Sequence, residues 1–287
     1  MALNNGNFRI MYRNLIDVAT LTSTPAPGNV ASMPIDNVKT LNHMESFRST
    51  TTDSSGITIT GSLTQAERVS GVVLNRHNLK AGDTWRFRGW SGAGQTGTEY
   101  DSGWLNALMF KKLGELDTKV DKLVTTVFDE EGWETQFSRM FFGSIVVRSF
   151  TIEIISDGNS DGYIDINRIW LARAVSFQRN FGYDYELDWI DTSLSELTEG
   201  NSPRFERGGS FRQITLAIPR IFDTDRHAAS DLIRHALSSN EVFIDLFPEK
   251  EGKLERDYTM TAYIADRSAL RTINANKHTI RITFRET

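Results

Sequence analysis

Apolar and polar residues alternate with a period of two along much of the chain. In Phe150-Thr151-Ile152-Glu153-Ile154 the apolar side chains fall on one face. Equivalent rows occur at Ile214, Leu216 and Ile218, at Val242, Ile244 and Leu246, at Tyr258, Met260, Ala262 and Ile264, and at Ile280, Ile282 and Phe284. Successive side chains of a strand point to opposite faces, so this alternation predicts strands with one buried and one wet side. Such strands suit antiparallel sheets better than the continuous apolar runs of parallel ones. Turn signals such as Asp157-Gly158 and Arg207-Gly208-Gly209 separate the rows, the punctuation expected of sandwiches and barrels.

Two stretches carry helical spacing instead. From Asp225 to Ser239, Ala228, Ala229, Leu232, Ile233, Ala236 and Leu237 form one stripe, with Asp223 or Thr224 as N-cap and Ser238-Ser239-Asn240 as a stop. From Lys112 to about Val127, Leu113, Leu116, Val120, Leu123 and Val127 step by three and four, which predicts an amphipathic helix lying on the body of the protein. Tyr163 to Ala172 reads as the closing strand of a first unit, and a boundary is expected near Ala174 to Asn180.

The 287 residues are 39% hydrophobic and 24% charged, inside the globular range. Lys plus Arg number 32 against 37 Asp plus Glu, a net charge of −5. A general nucleic-acid binder normally needs a basic face, so nucleic acid is not an expected partner. The chain has no cysteine, which excludes disulfides, thiolate nucleophiles and zinc–thiolate sites. No apolar run reaches the length of a membrane span. No basic segment followed by an apolar one opens the chain, so synthesis and folding in a cytoplasm are expected.

Chemical motifs are sparse. Gly92-Ala93-Gly94-Gln95-Thr96-Gly97 has G-x-G-x-x-G spacing, but a dinucleotide site needs a helix to begin there, and Thr98-Glu99-Tyr100-Asp101 is no helix start. A loop is expected. Asp157, Asn159 and Asp161 match the first ligand positions of a calcium loop, yet the twelfth position is Arg168, where a bidentate Glu belongs. A polar β-turn is the favoured reading, with a calcium site as the alternative. The histidines His43, His77, His227, His235 and His278 show no chelating spacing. Asp129-Glu130-Glu131 reads as a solvated loop. No nucleophile elbow or P-loop occurs. The chain is therefore not expected to be an enzyme, and no cofactor is expected. Among the six tryptophans, Trp85 and Trp170 sit in candidate strands, whereas Trp90 and Trp104 flank the glycine-rich loop and are the candidate glycan contacts.

Residues of roughly 30 to 172 resemble a discoidin-type module, the factor 5/8 C-domain or galactose-binding-like β-sandwich family. The likeness is carried by Met33-Pro34-Ile35-Asp36-Asn37-Val38, Glu45-Ser46-Phe47-Arg48-Ser49, Ile57 to Leu63, Val69 to Leu79 and Tyr163 to Leu171. The resemblance implies binding of glycans, lipids or proteins through loops at one end, and it marks 112–127 as an insertion. From about 176 onward the layout of strands with one helix is similar to the tail-tube-like β-sandwich of bacteriophage tail-tip and distal tail proteins.

Together these give a mainly β chain of two antiparallel β-sandwich domains, the second tail-tube-like with one packed α-helix. The expected division is an N-terminal arm over 1–30, a discoidin-like unit over 31–175 with a helical insertion at about 112–127, and a second unit over 176–287 with a helix at about 225–239. The leading functional expectation is a structural subunit of a phage tail tip or baseplate, assembled in the host cytoplasm and located in the virion. Its expected partners are tail tube, tape-measure, hub or fibre proteins, within a homo-oligomeric ring. Long polar stretches such as the arm and Asp191 to Arg207 are expected to order against neighbouring subunits. The alternative is a carbohydrate- or receptor-binding module that grips a host surface glycan.

Overall fold

The computed structural model describes residues 6–24, 29–51, 56–116, 125–129, 133, 136–157, 159–197, 201, 203–206, 208–235, 240–267, 269–274 and 276–287. The strands in chain order are β1 (Arg9–Met11), β2 (Thr20–Thr24), β3 (Phe47–Arg48), β4 (Ile57–His77), β5 (Thr84–Trp90), β6 (Glu99–Asp101), β7 (Leu105–Asn106), β8 (Phe137–Ile155), β9 (Asp165–Ala172), β10 (Glu186–Asp191), β11 (Leu194–Leu197), β12 (Pro203–Glu206), β13 (Ser210–Phe222), β14 (Val242–Asp245), β15 (Thr259–Arg267), β16 (Arg271–Asn274) and β17 (Lys277–Glu286). Two α-helices accompany them, α1 (Asp223–His235) and α2 (Gly252–Asp257). The molecule is mainly β and antiparallel, as the alternation predicts.

The first unit is an eight-stranded sheet in the order β3-β9-β4-β8-β5-β6, with β2 added to β4 and β7 to β5. Its two long central strands bend. The first half of β4 pairs with β2 and the end of β8, while its second half pairs with β9 and the start of β8. Register shifts between Ser62 and Glu67 and between Val69 and Gly71 mark the corner. Bulges of this kind let a strand pass from one layer of a sandwich to the other. Ile57, Ile59, Val72, Leu74, Ile152, Ile154, Ile169 and Leu171, from both halves, share one buried cluster.

The second unit is a seven-stranded sheet in the order β1-β14-β15-β17-β13-β10, with β16 on β17. Ile214, Leu216, Ile218, Ile244, Ile280, Ile282 and Phe284 form its core, with Ala229 and Leu232 of α1 packed on it. Asp223 and Asp225 stand in the first turn of α1 and Arg234 and His235 in the last, the polarity that suits a helix dipole. The helix begins at Asp223, two residues before the expected start, and positions 236–239 lie outside the described residues. The expected single helix is joined by the short α2.

The two sheets share a dry seam. Met11 of β1 and Phe243 of β14 pack with Val73, Trp170 and Ala172 of β4 and β9. Neighbouring residues Val72, Leu74, Ile169 and Leu171 face the opposite way, into the first core. Burial on both faces accounts for the consecutive apolar residues Val72-Val73-Leu74 of β4 and Ile169-Trp170-Leu171-Ala172 of β9.

The N-terminal stretch is no free arm. Its β1 joins the second sheet and its β2 the first. Asn14 fixes the crossing: its Oδ1 accepts from Leu171 N at 3.0 Å, and its Nδ2 donates to Ile169 O at 2.8 Å. Val175, in the expected boundary region, exchanges backbone hydrogen bonds of 2.9 and 2.8 Å with Ile10. The stretch Asp191 to Arg207, expected to order against a neighbouring subunit, carries the β11–β12 hairpin within the single chain. The expected helix at 112–127 is corrected at both ends. Leu113–Glu115 is a single 3₁₀ turn with Leu113 81% exposed. Thr126 bridges to Phe110, and Val127 packs with Leu108, Phe128 and Phe137 from a turn. Residues 117–124 of that expectation lie outside the described residues.

Candidate functional site

A cavity of about 730 Å³ opens where the two sheets meet, lined by Arg76, Asn78, Trp133, Tyr163, Trp189 and Arg212 among others. Its second-unit wall begins with Trp189 on β10, whose cross-strand partner is Arg212 on β13. Neighbours across a ladder pack side by side, and the Arg212 guanidinium lies 6.0 Å from the Trp189 ring and 4.9 Å from that of Trp133. Arg256 covers Trp133 at 4.1 Å. The two indoles meet edge to face, 5.9 Å apart at 78°, a favoured aromatic geometry. Trp189 remains 50% exposed. Trp133 is thus held by cations, and Trp189 presents an open face beside it.

Arg212 is held at all three of its nitrogens. Nε donates to Glu286 Oε2 at 2.9 Å, Nη2 to Glu286 Oε1, and Nη1 to the carbonyls of Arg256 and Thr259, each at 3.0 Å. Burial alone raises the Glu286 carboxyl, but this fork outweighs it and holds the group below its ordinary value. The first-unit wall is equally committed. Asp165 accepts from Arg48 Nε at 3.0 Å and Nη2 at 2.6 Å, and Arg48 covers the Tyr163 ring at 4.0 Å. Asn78 receives Asp165 N at 2.8 Å and donates to Tyr163 O at 3.0 Å. Arg76 stands at φ 51° and donates to Thr287 O. A non-glycine residue in that region is uncommon, and here it turns the end of β4 toward the last residues of the second sheet.

His77, which lines the cavity, forms with Ser138 behind it a pair that has the look of a nucleophile and base. Ser138 Oγ lies 2.7 Å from His77 Nε2, and both residues are buried. The protons run the wrong way for catalysis. His77 Nδ1 accepts from Leu79 N at 3.3 Å, so a neutral ring carries its proton on Nε2 and gives it to Ser138. Ser138 in turn donates to Ala107 O. Burial pushes His77 down to about 3. A general base would instead accept the serine proton, with a value near working pH.

The other candidate residues lie elsewhere. Trp90 is 6% exposed and beneath Arg88, whereas Trp104 is 45% exposed with Arg86 at 5.8 Å. They do not form one open surface. The G-x-G-x-x-G stretch is the turn of the β5–β6 hairpin, closed by Gly92 N donating to Thr96 O at 2.8 Å. In the 157–161 turn, Asn159 Nδ2 donates to the carbonyls of Asn78 and Tyr163 at 3.2 and 3.3 Å, and Oδ1 accepts from Asp161 N at 3.0 Å. Asp161 faces Asn78 at 3.0 Å and Lys80 at 3.4 Å. Asp157 is exposed. The described side chains of this turn hold Asn78 and Tyr163 in the cavity wall. Among the described residues no cluster of three or more acidic or histidine side chains could hold a metal.

Trp133 and Trp189 were not singled out by the sequence. Their only signal is that each is a tryptophan outside the apolar rows, and 56 residues separate them.

No protein-family model and no curated protein sequence matches the chain. Solved structures that match part of the chain include the family 32 carbohydrate-binding module of C. perfringens NanJ in complex with galactose. It is 11% identical over 56% of this chain and 98% of that one, with a TM-score of 0.38. Chitosan-binding module 1 of a chitosanase/glucanase from Paenibacillus sp. IK-5 is 13% identical over 56% and 98%, with a TM-score of 0.35. A GH29 fucosidase from Ruminococcus gnavus in complex with fucose is 10% identical over 57% of this chain, with a TM-score of 0.37, and the match spans only 27% of that enzyme.

Proposed function

We propose that the chain is a non-catalytic carbohydrate-binding protein and that the sugar sits on Trp189 in the inter-sheet cavity. The observation that carries this is the open indole face at a corner whose acids and bases are all committed to fixed partners. A pyranose presents one face of C–H groups, which a flat aromatic ring covers without losing hydroxyl hydration. Carboxylates and guanidiniums already pinned by each other offer remaining lone pairs and N–H groups at fixed positions. Arg76 and Arg212 balance Asp165 and Glu286 on the lining, so a neutral sugar fits the charge. The test is a glycan array on the whole chain, followed by calorimetry with the best sugar. Trp189→Ala is expected to lose at least tenfold in affinity, and Trp104→Ala to bind as the parent. Equal binding by Trp189→Ala overturns the reading.

A second reading, a structural subunit of a phage tail tip, rests on the β11–β12 hairpin. Leu194 and Phe205 on it are 62% and 70% exposed, and apolar residues on an unsupported ribbon suit a protein contact. Light scattering tests it. A multimer lost in Leu194→Ser with Phe205→Ser supports it, and a monomer at every concentration counts against it.

A further inference from the structure

A second groove runs beside α1, remote from the tryptophan corner in its lining. Two cavities of about 260 and 390 Å³ adjoin there, and both are lined by Tyr12 and Asp231. Arg173 faces the inner one, and Arg13 and Arg234 the outer. Tyr12 packs edge to face on His235 at 5.6 Å. Among the described residues no carboxylate pairs with Arg13 or Arg173, and Arg234 meets only Asp231, at 3.3 Å.

The hydroxyls of the inner cavity also lack acceptors. Ser176 Oγ is buried without a partner. Ser70 Oγ accepts from Ala174 N at 2.9 Å and keeps its own proton to give. Asp225, buried at the helix start, already receives Gln178 N at 2.9 Å. Burial raises the Tyr12 phenol, with Asp231 adding to it and Arg173, Arg13 and Arg234 opposing, so the phenol keeps its proton as a donor.

We infer that this groove is a binding site for a carboxylate-bearing monosaccharide, a sugar acid whose single negative charge is met by Arg13 and Arg173. Guanidiniums are suited to bidentate contact with a carboxylate. The charge count selects a monoanion. Three arginines stand against Asp225 and Asp231, leaving one net positive charge among guanidiniums and carboxylates, too few for a dianionic phosphate beside two carboxylates. This site does not depend on the tryptophan corner.

The experiment is saturation-transfer NMR and calorimetry on the whole Trp189→Ala chain, which removes the other proposed site. The probes are galacturonate, galactose and galactose 6-phosphate. Galacturonate is expected to bind, with at least a tenfold loss in Arg173→Gln and in Arg13→Gln, both exposed residues whose change leaves the fold intact by circular dichroism. Galactose is expected to bind at least tenfold more weakly. Absence of galacturonate binding, or binding unchanged in both arginine variants, overturns the site. Galactose 6-phosphate binding as tightly as galacturonate overturns the choice of a monoanion.

Discussion

The Phe150 ring lies over Gly61, its partner across the β4–β8 ladder. On the other side Phe150 pairs with Gly89 of β5. A large ring therefore occupies a row that two glycines leave empty, and it stacks into the first core. A Cβ at Gly61 would run into the ring, whereas one at Gly89 would meet Val147 Cγ2 at 2.8 Å. Overpacking a filled core costs about 1–3 kcal/mol. Gly61→Ala is expected to lower the unfolding free energy read from urea denaturation by that amount, and by more than Gly89→Ala. An unchanged midpoint in Gly61→Ala would show that the ring has room to move.

Trp90 and Trp189 are expected to separate stability from binding. Trp90 is buried, so Trp90→Ala is expected to cost about 3–5 kcal/mol, with the folded fraction still binding sugar. Trp104 is half exposed, and Trp104→Ala is expected to shift stability by no more than about 0.5 kcal/mol. Denaturation curves on both variants, read beside their binding isotherms, check this. A stable Trp90→Ala protein that has lost sugar binding would return the site to the glycine-rich turn.

This contrast shows which parts of the molecule were legible. The rows at Ile214 to Ile218 and Ile280 to Phe284 announce strands because one face is buried and the other wet. The α1 stripe at Ala229 and Leu232 is legible for the same reason. The spacing of Leu113 to Val127 misled because a three-and-four step says only that a helix could form. Leu113 finds no core, and Val127 finds one from a turn. β1 is three residues long, too short for periodicity, and only its long-range pairing with β14 makes it a strand. The Trp133–Trp189 corner has no local signature, because Arg212 and Arg256 bring together indoles from different elements.

His77 predicts a stability loss on the acid side. Its ring titrates near 6.5 in an unfolded chain and, through burial, at about 3 in the folded one. Above 6.5 both states are neutral and the group is silent. As pH falls below that, the unfolded chain takes up a proton that the folded one refuses. Stability then drops by up to about 1.4 kcal/mol per pH unit, until the folded ring titrates. Urea denaturation at stepped pH values, with His77→Gln as the non-titrating reference, is expected to show the parent falling more steeply. Parallel slopes would mean that water reaches the ring.

Arg168 makes the polar join between the sheets. It is 1% exposed; its Nε donates to Glu241 Oε2 at 3.1 Å, and its Nη1 and Nη2 donate to Asp17 at 2.7 and 3.1 Å. Glu241 also faces His43 Nε2 at 3.0 Å. Burial pushes the Asp17 carboxyl up while Arg168 draws it back. Removing the cation leaves the buried Glu241 carboxylate without its guanidinium, while Asp17, 40% exposed, can be met by water, so Arg168→Met is expected to cost about 3 kcal/mol. Glu241→Gln leaves the guanidinium its Asp17 partner and is expected to cost less. In the double variant the second change is expected to add little, since the charge that the first one stranded is gone. A double-mutant cycle by urea denaturation measures this coupling, and strict additivity would mean that Arg168 and Glu241 act on the junction independently.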